Sequence, residues 1–190
     1  MSTKSNKKII EIHEINLEIL QKIVKLDLQN CILTFDDGLQ SQWKYIDDLV
    51  ALDVPKYFFI STDIVCEKHS EQSTEFISCS EAHKKAFKNN KENYMTWSQI
   101  KVISKLPNCN IGGHSDKHQL YQVSPLKDLY KSLIDDTKNM LRKFKDNNIK
   151  INSFCFPYNE DYDDLYKIIV TKEGIGESYG RGRIKIEEIK

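Results

Sequence analysis

Short apolar runs alternate with amphipathic stretches along most of this chain, and no other feature narrows its fold so much. The runs "CILTF" (31–35), "KYFFIST" (56–62), "NCNIGGHS" (108–115) and "INSFCFPYN" (151–159) are rich in β-branched and aromatic residues. Each is long enough for a strand and too short for a helix. Between them, apolar residues recur at three- and four-residue steps. Ile12, Ile15, Ile19, Ile23 and Leu26 predict a helix over about 9–28, with a short strand at 8–12 as its prelude. Ile46, Leu49 and Val50 predict a second over 42–52, ended by the turn at Pro55. Thr96 is placed to N-cap a third, with Ile100, Ile103 and Leu106 in phase and Pro107 as its stop. Ser124 as N-cap and Pro125 as first helical residue open a fourth that runs to about 147, with Leu129, Leu133, Met140 and Phe144 inward. "DDLYKIIVTKEG" reads as a last helix and "RIKIEEI" as a terminal strand. The stretch 66–94 is polar and weakly periodic, an insertion with short helices at most. Strands joined through helices pair in parallel, so the expected class is α/β, and ligands in that class sit at the carboxyl ends of the strands.

A length of 190 residues suits one domain with a sizeable core. Lys+Arg and Asp+Glu both number 28, so no global field points to nucleic acid or an anionic membrane. No apolar run approaches the length of a membrane span, and "MSTKSNKKII" lacks a leader's apolar stretch. The five cysteines form no C-x-x-C pair. Together these features lead us to expect reduced thiols in a cytoplasmic setting.

Three predicted strand ends carry chemistry: Asp36-Asp37-Gly38, His114, and Pro157-Tyr158. An Asp-Asp-Gly is usually a turn, and a lone His-x-x-x-His is usually ordinary surface or core. At strand ends of one α/β sheet the two together point elsewhere. If the segment after Gly113 is helical, His114 and His118 share a face and can bind one ion, with a carboxylate completing a facial site. Zinc takes such ligands, and the same set suits non-haem iron.

Thr34-Phe35-Asp36-Asp37-Gly38 and His114-Ser115-Asp116-Lys117-His118 resemble the first two motifs of the polysaccharide deacetylases, the NodB-homology carbohydrate esterases. "KYFFIST", the stretch 95–118 and "FCFPYN" resemble the family's neighbouring segments in order, so the likeness covers about 31–159. The resemblance implies a distorted (β/α) barrel, open or incomplete at this length. It implies hydrolysis of an acetyl group from an N-acetylated sugar or glycan, an amide or an O-acetyl ester. It also implies a divalent cation (zinc first, cobalt or nickel as alternatives) on Asp37, His114 and His118. Asp36 would be the general base, the backbone N–H of Tyr158 an oxyanion donor, Pro157 and Tyr158 part of the substrate site, and Ser115 a brace.

Two departures stand out. The third motif, Phe154 to Tyr158, lacks the arginine that often tunes the base, and no histidine follows His118 to act as acid. His13, His69 and His83 all lie upstream, outside the family's usual place for the acid; His69 or His83 from the insertion, or a water, could still supply it. Without one, the rival expectation is a metal-binding, weakly active or inactive carbohydrate-binding homologue. Cys31 and Cys155 read as buried, Cys109 as a non-ligand, and Arg181 and Arg183 as solvated loop residues able to meet an anionic sugar.

Overall fold

The computed structural model describes residues 7–122 and 125–189. Its centre is one parallel sheet of β1 (Lys8–Ile12), β2 (Cys31–Phe35), β3 (Lys56–Ile60), β4 (Cys109–Gly113), β5 (Ser153–Cys155), β6 (Glu177–Tyr179) and β7 (Ile184–Lys185), in the order β6-β5-β4-β3-β2-β1-β7. β6 and β7 lie at opposite edges, yet only residues 180–183 connect them. Laid flat, six strand spacings would separate those edges by roughly 29 Å, whereas the five steps from Tyr179 to Ile184 reach roughly 17 Å at most. The sheet must therefore curl, and it forms an open, distorted (β/α) barrel.

The central strands are buried along almost their whole length, as parallel strands covered on both faces must be. Phe35 and Phe58 stack at 4.7 Å between β2 and β3. At the opposite end from the site, the wholly buried Lys56 is satisfied because its ammonium donates to the carbonyls of Leu52 and Val54 at 2.6 and 2.8 Å.

The helices are α1 (Leu17–Lys25), α2 (Gln40–Lys44), α3 (Ile46–Val50), α4 (Cys79–Ala86), α5 (Trp97–Ile103), α6 (Leu126–Asp146) and α7 (Leu165–Lys172). The helix expected over 9–28 is shorter. Asn16 caps α1 by accepting from the Ile19 N–H, so Ile12 belongs to β1 and Ile15 to the connection. The stretch expected as one helix over 42–52 is two, broken at Tyr45. Thr96 caps α5 in a reciprocal pair with Gln99, as its spacing foretells. Ser124 lies outside the described residues, and Pro125 precedes the first turn of α6 rather than opening it. Within 66–94, α4 starts at a capping box of Ser78 and Glu81 and packs Ala82 and Ala86 against Leu39, Ile64 and Tyr94. β6 was not anticipated. Among the described residues no helix is long and apolar enough to cross a membrane.

Candidate active site

A cleft of about 590 Å³ opens at the carboxyl ends of β1, β2 and β4. Its first component is the turn after β2. Asp37 (φ 72°) and Gly38 (φ 76°) both adopt the left-handed region, and a Cβ on Gly38 would stand 3.0 Å from Ile60 Cδ1. That reversal sends two adjacent carboxylates to different partners. A non-glycine residue held there stores strain, which the surrounding contacts must offset.

Asp36, buried, meets Arg183 in a two-pronged ion pair of 2.8 Å (Nη1 to Oδ1) and 2.7 Å (Nη2 to Oδ2). The same guanidinium reaches Glu11 at 3.1 Å and donates to Asn159 Oδ1 at 3.0 Å. Burial pushes the Asp36 carboxyl up, but Arg183, helped by His114 and His13, outweighs it and leaves the group below its ordinary value. The expectation of a solvated Arg183 is corrected: its side chain is 3% exposed, whereas Arg181, at 72%, pairs loosely with Glu160. Arg183 enters from the β6–β7 connection, so an arginine pairs with Asp36 although the third motif has none. Its signal in the sequence was a basic residue next to an edge strand, which composition cannot tell from a solvated one.

Asp37 faces the other way. Its Oδ1 lies 3.0 Å from His118 Nε2 and 3.3 Å from His114 Nε2. His114 Nδ1 sits 2.8 Å from the Cys155 carbonyl, which can only accept, so in the neutral ring Nε2 presents a lone pair to Asp37. Oδ1 is buried and receives no hydrogen bond. Acceptors converging on an undonated carboxylate oxygen call for a cation among them, and the donor set of Asp37, His114 and His118 suits a divalent one. Burial opposes charge on Asp37, yet His118 and His114, when protonated, hold its carboxyl well below the usual carboxylate range, a role that a bound cation takes over when the rings are neutral.

The two histidines do not converge on a helical face. Residues 114–118 form an irregular loop with Ser115 (φ 66°) and His118 (φ 48°) in the left-handed region. Ser115 braces it, its Oγ accepting from the His118 N–H at 2.8 Å. Asp136 of α6 accepts from the N–H groups of Asp116 and Lys117 at 2.9 and 3.1 Å, and from the hydroxyls of Tyr121 and Tyr166. Two of these four donors come from the loop backbone, so Asp136 ties the loop to α6.

His13, which the sequence left outside the usual acid position, lines the cleft at the end of β1. Polar atoms of Glu11, His13 and Asp36 lie within 4.8 Å of one another, with Glu11 Oε1 3.9 Å from His13 Nε2. Gln42 ties the two loops together, donating to the carbonyls of His13 and Asp36 at 2.8 and 2.6 Å. From α4, Cys79 Sγ lies 3.1 Å from Asp37 Oδ2 and His83 Nε2 lies 3.7 Å from Asp37 Oδ1. Four of the five histidines thus share one cleft. His69 is apart, paired with Gln72. Tyr158 (φ 58°) borders the cleft with its ring 4.8 Å from that of His118, and Pro157 is buried beside it. Cys31, Cys109 and Cys155 are buried, the last 3.6 Å from Asp36 Oδ2.

Solved structures share this architecture. IcaB from Ammonifex degensii matches with a TM-score of 0.67 at 17% identity, over 94% of this chain and 84% of that one. A de-N-acetylase from Aggregatibacter actinomycetemcomitans matches with 0.60 at 15% identity, covering 98% and 82%. The Streptococcus pyogenes deacetylase PplD, in complex with acetate, matches with 0.61 at 13% identity, covering 94% and 91%. At such identities the likeness speaks for the fold. No curated protein sequence matches the chain significantly. The profile of the polysaccharide deacetylase family, however, matches residues 24–175, most of the sequence. The chain belongs to the polysaccharide deacetylase family.

Proposed function

We propose that the chain hydrolyses the acetamide of an N-acetylated sugar in a glycan, with a divalent cation held by Asp37, His114 and His118. The observation that carries this reading is the division of labour at the end of β2. One carboxylate is gathered with imidazoles around an undonated oxygen, and its neighbour is held apart by an arginine. When bound, such a cation polarises the acetyl carbonyl and brings the pKa of a water down to about 7. Zinc fits the donors best, with cobalt or nickel as substitutes.

The remaining work falls to the chain's own groups. Asp36, kept ionised by Arg183, is the base that takes the proton of the attacking water. The Tyr158 backbone N–H contributes a donor to the oxygen that gains charge as the carbonyl carbon becomes tetrahedral. His13, whose backbone Gln42 fixes at the end of β1 and whose Nε2 lies 3.9 Å from Glu11, is the side chain placed to give a proton to the departing amine. The C–N bond breaks, acetate leaves, and the sugar keeps a free amine. An acid in this place favours an amide over an O-acetyl ester, because an amine is the poorer leaving group. A de-N-acetylase and an acetate-bound deacetylase among the fold relatives support the same reaction class.

The test is acetate release from N-acetylglucosamine oligomers with zinc or cobalt added. Asp36→Asn is expected to abolish it, and His13→Ala to lower kcat by about 10²–10⁴. A rival reading draws on α4, which projects Cys79 and His83 into the cleft beside Asp37. On that reading the chain binds glycan and metal without hydrolysis. Metal-loaded wild type that binds the oligomer but releases no acetate would decide for it.

A further inference from the structure

The polar stretch 66–94 places α4 over the cleft, and its capping box sets which face it presents. Cys79 and His83, one helical turn apart, both point at Asp37. His83 repeats the arrangement already seen at His114. Its Nδ1 lies 3.1 Å from a backbone carbonyl, here that of Cys79, so in the neutral ring Nε2 carries the lone pair. That Nε2 is buried and has no hydrogen-bond partner. It lies 3.7 Å from Asp37 Oδ1, the same oxygen that His114 and His118 approach, with its ring 4.3 Å from that of His118. Yet it stands outside the 4.8 Å cluster that Asp37, His114 and His118 form, so sharing one ion requires α4 to shift inward.

At 3.7 Å no direct hydrogen bond joins His83 to Asp37. A buried lone pair facing a buried carboxylate oxygen is unfavourable on both sides unless a cation lies between. Cys79 sits differently. Its thiol donates at 3.1 Å to Oδ2, the other oxygen of Asp37, which turns Oδ1 toward the three imidazoles.

We propose that His83 Nε2 is a fourth protein ligand of the divalent cation, making the donor set one aspartate and three histidines. This rests on the cation site described above. Four protein donors fill a tetrahedron, so water and substrate enter either by expanding the coordination number or by displacing His83. The cation then also links α4 to the barrel, adding to the apolar contacts of Ala82 and Ala86 that already hold α4 at the cleft.

The experiment uses the full chain loaded with zinc or cobalt. X-ray absorption on the zinc form should count three imidazoles, and cobalt affinity by competition should fall at least about tenfold in both His83→Ala and His83→Gln. Cobalt spectra of the wild type should show no thiolate charge-transfer band, and Cys79→Ser should keep wild-type affinity. Hydrogen exchange of α4 amides should slow on metal loading. Two imidazoles in the zinc spectrum, or unchanged affinity in folded His83 variants, overturns the assignment while leaving the Asp37, His114 and His118 site intact. A thiolate band that vanishes in Cys79→Ser overturns it in favour of Cys79. A wild-type chain that takes up no cation overturns both readings.

Discussion

At the scale of single residues, Arg183 decides the most. It is buried against two carboxylates, Asp36 and Glu11, so its removal strands both charges. Arg183→Met is expected to cost about 3–5 kcal/mol, measured by urea unfolding. Arg183→Lys keeps the charge but loses the fork and is the gentler probe. Because Asp36 is held below its ordinary value, its pairing stabilises the fold fully above the unfolded value of about 3.9. That contribution fades as pH falls through the lower folded value. Weakening the pair raises the Asp36 pKa, so the acid limb of kcat/KM against pH in Arg183→Lys should lie at higher pH than in the wild type. A limb that stays in place would mean that Asp36 is not the group being titrated. The adjacent left-handed Asp37 explains why both carboxylates fit in one turn: the reversal sends their side chains to separate partners.

Among the elements, α6 shapes the site without entering it. Asp136→Asn would put an amide N–H₂ where donors already converge from the backbone of Asp116 and Lys117. A loss of about 1–3 kcal/mol is expected, together with weaker metal binding by the His118 loop, read by unfolding and by cobalt titration. The elements also differ in how plainly the residues announce them. β2 and β4 were legible because continuous apolar runs end in chemistry-bearing residues, and Asp36, Asp37, His114 and His118 followed from them. The helical face imagined for the two histidines was wrong. Ser115 and His118 take left-handed backbone conformations, which polar residues do not reveal by spacing. His13 and Arg183 stayed hidden because the ends of the chain meet at the cleft, a pairing that only the strand order discloses. His83, named as a candidate acid, was not foreseen as a neighbour of Asp37 because a weakly apolar helix gives no clue which polar face is solvated.

For the whole molecule, the curl of the sheet sets the behaviour. Any cation that binds only the assembled cleft stabilises the fold by mass action, by about 2.7 kcal/mol at a hundredfold excess over Kd. Thermal unfolding should therefore shift upward with added zinc and return with chelator. Asp37→Asn should abolish the shift. The stretch 180–183 bridges the two sheet edges, and through Arg183 it joins β6 and β7 to residues near the start of the chain. Contacts between residues so distant in sequence carry a large loop-closure cost, so we expect them to form after the folding transition state. Interactions absent from the folding transition state act on the unfolding rate alone. Arg183 substitutions should thus leave refolding rates nearly unchanged and speed unfolding. The latch that holds Asp36 is then expected to be the last part of the molecule to close and the first to let go, so on heating any acetate-releasing activity should fade before the barrel itself melts.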